Sequence, residues 1–189
     1  MGMHHGYLAA TTTGAHLIGA LSRFCGDFYP GAPVADPDDL DLDGGDGGWG
    51  LALEEWPRYA VLLDTSLLLV DTPDLVVDLS RVLGTVVAGM AETLSGAYSL
   101  AAASDGQLLR LVTVQAGVET VSVGPPLPTE ATRPITDPHG DGLEAALEHF
   151  GFHLSGSAIL RPVRYTATRR PQPKPVVTAT GRARVEPRR

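Results

Sequence analysis

Residues 85–123 read TVVAGMAETLSGAYSLAAASDGQLLRLVTVQAGVETVSV. Four apolar runs, TVVAGMAE, AYSLAAA, LLRLVTV and VETVSV, are separated by Ser95 and Gly96, by Ser104, Asp105 and Gly106, and by Ala116 and Gly117. Those separators are turn chemistry, because Gly and Asp tolerate the positive φ that a tight hairpin demands. Connections this short cannot carry a crossover, so successive strands run antiparallel. In the last run Val121 and Val123 alternate with Thr120 and Ser122, which predicts one buried and one wet face.

Upstream, Thr72 and Pro73 predict the start of a helix over 73–83, since proline at the first helical position gives up no hydrogen bond. Asp74 and Asp78 suit the early turns, Leu75, Val76, Leu79, Val82 and Leu83 form an apolar face, and Gly84 stops it. Residues 59–63 and 67–70 are strand-like runs separated by Asp64, Thr65 and Ser66, expected as a hairpin or a kinked strand. HGYLAAT near the start reads as a first strand. Thr12 or Thr13 then caps a helix with Leu17, Ile18, Leu21 and Phe24 on one face, and Gly26 ends it.

Downstream, GPPLPTEATRPITDPHG is a proline-rich connector. Asp141, with Glu144 three residues on, predicts a capping box ahead of Leu143, Ala146, Leu147 and Phe150. Gly151 closes that helix and Phe152 packs back across it. Beyond Ser157 only AILRPVRYTAT is strand-capable, and from Arg169 onward proline and charge are too dense for a core. The expected fold is α+β: an antiparallel meander of about five or six strands packed by two or three helices. It occupies residues 1–160 as a single domain, with a basic Pro/Arg-rich extension over 161–189.

With 189 residues, 43% hydrophobic and 19% charged, the chain has the composition and length of one globular domain. No apolar run approaches the ~18 residues of a membrane span, and the first twenty residues lack the basic region and apolar core of a secretory signal. A soluble, cytoplasmic protein with no membrane contact is expected. Cys25 is the sole cysteine, so no internal disulfide can form, and a buried inert thiol is expected.

The net charge of -8 conceals a division. Residues 1–160 carry five arginines against twenty-one acids, a net of -16, whereas 161–189 carry eight arginines and Lys174 against Glu186, a net of +8. An acidic body suits a basic partner, and a basic tail suits an acidic surface or nucleic acid. The tail residues Arg169, Arg170, Lys174, Arg182 and Arg184 are the candidates for phosphate neutralisation. Against that reading, the tail has no aromatic residue after Tyr165 to stack on bases, and the body repels phosphate.

Residues 36–50, DPDDLDLDGGDGGWG, concentrate the acid. Asp39, Asp41 and Asp43 alternate as calcium ligands do, and Gly44 sits at the turn position of a calcium loop. The eighth place is then Asp46 and the twelfth is Gly50 where a bidentate Glu is required, while Pro33 and Pro37 preclude the preceding helix. A hydrated loop is favoured, with Ca2+ kept as the alternative, and no other cofactor is expected. His149 and His153 have a metal-ligand spacing, but Gly151 between them interrupts the helix.

Glu92, Tyr98 and Arg110 can share one sheet face across strands, as a ligand-binding or hydrolytic site or as a cross-strand pair. No phosphate loop, dinucleotide fingerprint or Cys/His cluster is present in the sequence. The DG turn leading into the strand that bears Arg110, the PLPTE stretch at 126–130 and the short helix ending in Gly151 and Phe152 together resemble small actinobacterial α+β proteins, some of them immunity or accessory partners. That resemblance implies interaction more than catalysis. The leading expectation is a non-catalytic interaction protein of immunity or accessory type, which presents Asp39, Asp41, Asp43, Asp46 and Trp49 to a basic partner. Tethering or nucleic-acid binding through the tail, and an enzyme at Glu92, Tyr98 and Arg110, are the alternatives.

Overall fold

The computed structural model describes residues 4–34, 50–65, 67, 69, 72–137, 139–154 and 159–166. Among them the chain is α+β, with a single nine-stranded sheet and three α-helices. In chain order the elements are β1 (His4–Ala10), α1 (Gly14–Phe24), β2 (Asp27–Pro30), β3 (Leu51–Glu55), β4 (Ala60–Asp64), α2 (Pro73–Leu83), β5 (Thr85–Glu92), β6 (Ala97–Ser104), β7 (Gln107–Gln115), β8 (Val118–Val123), a 3-10 helix (Pro128–Ala131), α3 (Asp141–His149) and β9 (Ile159–Thr166). The sheet order is β2-β9-β3-β4-β1-β5-β6-β7-β8, with every pair antiparallel.

The meander β5 to β8 follows its turn chemistry. Ser104 pairs with Gln107 and Gln115 with Val118, so each connection is two residues long. Both central residues of each turn have positive φ, at Asp105 and Gly106 and at Ala116 and Gly117. This is the mirror-image turn whose twist matches the flanking strands. The last strand departs from the expected two-faced pattern: Val121 is partly buried, but Val118 is 65% and Val123 44% exposed, because β8 is an open edge that no helix covers.

The sheet has more strands than the expected five or six. Leu67 and Leu69 lie outside any strand, since Leu67 takes φ 56 and turns the chain after β4. The additional strands are β2 and β3, while β9 forms from the strand-capable AILRPVRYTAT run and extends into the expected basic extension. Leu51 of β3 pairs with Val163 of β9, while Phe28 of β2 pairs with Tyr165 on the other side of the same strand. Such pairings join segments far apart in sequence and have no turn signature. Pro162 sits in β9 although it lacks an N–H, and its carbonyl accepts from Gly31 N at 2.7 Å. The charge division at residue 160 therefore falls inside β9.

Helices cover both faces. On the first, α1 and α2 place Leu17, Leu21, Val76 and Leu79 over Leu8, Leu53, Leu62, Val86 and Leu111. On the second, Leu143, Ala146 and Leu147 of α3, with Leu127 and Ile135 of the connector, cover Tyr7, Val61, Val87, Leu100 and Val112. Strands buried on both faces read as continuous apolar runs rather than alternating ones, and β6 is buried from Tyr98 to Ala103. Ala101 and Ala103 let α2 approach it closely.

Most helix ends follow the sequence. The Thr13 side chain accepts from His16 N at 3.3 Å, capping α1. The N-cap of α3 is Gly140, with Asp141 already in the first turn, so the expected capping box does not form. At its other end Gly151 N donates to Glu148 O at 2.9 Å and Phe152 N to Leu147 O at 3.0 Å, the paired bonds of a Schellman motif. Phe152 is thereby folded back into the second core. Phe24 and Val82, expected on apolar faces, are exposed.

Candidate functional site

Arg110 extends from β7 on the α3 side of the sheet, opposite Ala102 of β6. It is 2% exposed. Its Nε donates to Glu130 Oε1 at 2.8 Å and its Nη2 to Glu130 Oε2 at 2.7 Å. Nη1 donates to Ser122 Oγ at 2.9 Å and to the carbonyls of Val123 and Gly124 at 3.2 Å. The hydrogen bonds that Arg110 donates to Glu130 push its guanidinium further up, against the effect of burial. Burial alone pushes Glu130 up, but Arg110 and the N–H of Leu127 outweigh it and hold the carboxyl below its ordinary value. Every nitrogen of Arg110 is engaged within the fold, where it locks the connector after β8 against β7.

Glu92 and Tyr98 do not join Arg110. Tyr98 is buried in the second core and pairs with Val114. Arg110 pairs with Ala102, four positions along β6, or roughly 13 Å away at the rise of a strand. Ala91 lies on the Tyr98 face, so the alternation of β5 turns Glu92 to the opposite face. There the Glu92 carboxylate accepts from Ser95 N at 3.2 Å and organises the β5–β6 turn. The structure does not bring these three residues together into one site.

A different constellation stands on the second face, at the β3–β4 hairpin. Glu54 and Glu55 are adjacent in β3 and must point to opposite faces. Glu55 turns toward α1, where it accepts from Arg161 Nε at 2.8 Å and lies against Gly14 at the start of the helix. Glu54 turns the other way and is 8% exposed. Around it are Trp56 and Tyr59 from the hairpin turn, which is closed by Trp56 N donating to Tyr59 O at 3.0 Å. The two rings stack with centroids 5.3 Å apart, and Tyr59 meets the Phe152 ring edge-on at 5.6 Å. The Tyr59 hydroxyl bridges the backbone of His153, donating to its carbonyl and accepting from its N–H at 3.2 Å.

Two atoms in this cluster are buried without a hydrogen bond, Glu54 Oε2 and Trp56 Nε1. An unpaired buried polar group costs about 1–3 kcal/mol. Burial pushes the Glu54 carboxyl up; the indole N–H of Trp56 lies near enough to oppose that shift, though not in well-formed hydrogen-bond geometry. Burial, then the charges of Glu144 and Glu54, push the Tyr7 phenol far above its usual value. Burial also raises Tyr59, against the contact with His153, and the Glu54 charge adds to the rise. Perturbed groups gathered around a buried acid are a physical mark of a functional site.

The remaining candidates fall away or lie elsewhere. Cys25 is buried and its thiol is pushed up to about 11, so it is protonated at neutral pH and a poor nucleophile. His149 meets Phe150 edge-on, and no metal-binding group of three is present among the described residues. Asp39, Asp41, Asp43, Asp46 and Trp49, and the tail residues Arg169, Arg170, Lys174, Arg182 and Arg184, lie outside the described residues. No helix among the described residues is long and apolar enough to cross a membrane. Comparisons with protein-family models, curated proteins and solved structures give no match.

The Glu54 cluster had one signal in the sequence. Two consecutive acids in a strand cannot both face water when the sheet is covered on both sides. Only the second core layer, which the sequence does not show, makes that signal readable.

Proposed function

We propose that this protein is a non-catalytic interaction protein, of immunity or accessory type, whose acidic body recognises a basic partner. The observation that carries this reading is the unbalanced charge of residues 1–160, five arginines against twenty-one acids. Three of those arginines, Arg81, Arg110 and Arg133, are paired with the chain's own carboxylates at Asp78, Glu130 and Glu148. A body with so few free cations presents a negative field, which steers a basic partner and repels nucleic acid. The use of Arg110 as a structural clamp also removes the cation on which a hydrolytic site with Glu92 and Tyr98 depended.

The test is capture from source lysate by the full chain and by a full-length variant with Arg169, Arg170, Lys174, Arg182 and Arg184 changed to Gln, each with and without nuclease. A basic protein retained by both chains after nuclease treatment supports the reading. A partner lost with the variant or the nuclease moves the function to the tail.

A further inference from the structure

We propose that Glu54, Trp56, Tyr59 and Tyr7 form a binding site for an alkylammonium group. Glu54 is more than nine-tenths buried, and among the described residues its Oε2 has no well-formed hydrogen bond, although the indole N–H of Trp56 lies near enough to act on it. Among the described residues it pairs with no arginine or lysine, and the rings beside it are Trp56 and Tyr59, which are stacked, with Phe152 at the edge of Tyr59. A buried carboxylate acceptor beside aromatic rings matches an ammonium, which donates to the oxygen while a ring quadrupole attracts its charge.

The rest of the cluster has the same sign. Glu144 on α3 and Glu54 both act on the Tyr7 phenol, and each disfavours a second negative charge there. An anionic ligand would meet that field head-on. A neutral apolar ligand would leave both Oε2 and the indole N–H unpaired. With an ammonium bound, Glu54 is ionised, accepts from the ligand, and can accept from Trp56 Nε1 on its other side. Any proton held by Glu54 before binding leaves to solvent, and no bond is made or broken.

The same chemistry has two sources, a free small amine or a lysine side chain presented by a partner. The second would deepen the interaction reading and rests on it; the first stands without it.

The test follows the indole N–H resonance of Trp56 in the full chain by NMR, with Trp49→Phe used to assign it. The probes are butylammonium, butanol, butyrate and a short lysine-containing peptide. Saturable shifts with butylammonium, absent with butanol and butyrate, are expected. Glu54→Gln should weaken binding by about tenfold or more, the worth of a hydrogen bond to a charged group. Glu54→Asp keeps the charge and should retain the preference for amine over alcohol, while Glu148→Gln makes the same charge change on an exposed site and should have no effect. A peptide that binds more tightly than butylammonium assigns the site to a partner's lysine; the reverse order assigns it to a free amine. No saturable shift with any amine, equal binding of butanol, or an unchanged affinity in Glu54→Gln would overturn the proposal. Lysate capture of a basic partner is read separately, so either inference can fail while the other stands.

Discussion

Gly89 of β5 and Leu143 of α3 occupy the same point in the second core: a Cβ on Gly89 would overlap Leu143 Cδ1 and come within 3.2 Å of Ser99 O. The absence of a side chain in mid-strand, ordinarily a weakness, is what lets α3 settle onto the sheet beside β5. Gly142 repeats the device on the helix itself, where a Cβ would run into the carbonyl of Pro134. The close seating of α3 completes the second core.

Gly89→Ala should therefore destabilise the protein by about 1–3 kcal/mol, the range of core overpacking. Leu143→Ala alone should cost about 2–5 kcal/mol through the cavity it leaves. The double variant should cost less than the sum, because each change relieves the other. Urea denaturation of the four proteins reads the coupling directly; strict additivity would place the two residues out of contact.

Glu130→Gln leaves the Arg110 guanidinium buried without its carboxylate and should cost about 3–5 kcal/mol. The folded-state value of Glu130 is depressed, so the stability it contributes is present above the unfolded carboxyl range, about 4.3, and is lost as pH falls through the lower folded value. Acid denaturation of the parent should steepen below that range. The Glu130→Gln profile should be flatter there, as measured by circular dichroism against pH.

Glu54 has the opposite sign. Its folded value is raised, so the folded state holds a proton that the unfolded state has released, and stability declines as pH rises from the unfolded carboxyl value through the folded one. Glu54→Gln should remove that decline, giving a protein more stable than the parent at neutral pH and no more stable at pH 4. A variant equal to the parent at both pH values would show that Glu54 is ionised in the folded protein without penalty. Such a cost at one buried acid accords with the amine site proposed for it.

β9 yields the most discriminating truncation. A chain ended at residue 160 loses the strand that joins β2 to β3, including buried Val163. It should lose cooperative unfolding, whereas a chain ended at residue 166 should unfold as the parent does. Circular dichroism during thermal denaturation separates the two; a folded chain ending at 160 would remove β9 from the sheet's interior.

The extent to which the fold could be read from sequence follows the range of the interactions. The β5–β8 meander and the end of α3 rest on residues within a few positions of one another, such as Asp105 with Gly106, or Gly151 with Phe152, and sequence reasoning finds them. β2 and β3 are held by pairings such as Leu51 with Val163, and the strand-capable run that becomes β9 carries no local sign of its two partners. For the same reason Glu92, Tyr98 and Arg110 looked convergent: counting alternation from each strand alone does not reveal that Glu92 faces away from Tyr98, or that Glu130 of the connector claims Arg110. Glu54 was hidden because the aromatic cluster beside it is completed by Phe152, far along the chain.

The central functional claim is that an acidic body attracts a basic partner. Its most direct test is the association rate of the captured partner as a function of ionic strength, measured for the full chain and for the variant neutralised at Arg169, Arg170, Lys174, Arg182 and Arg184. The predicted result is a rate that falls steeply with salt, with the same slope for both proteins. A rate indifferent to salt, or a slope that vanishes with the tail charges, would contradict it.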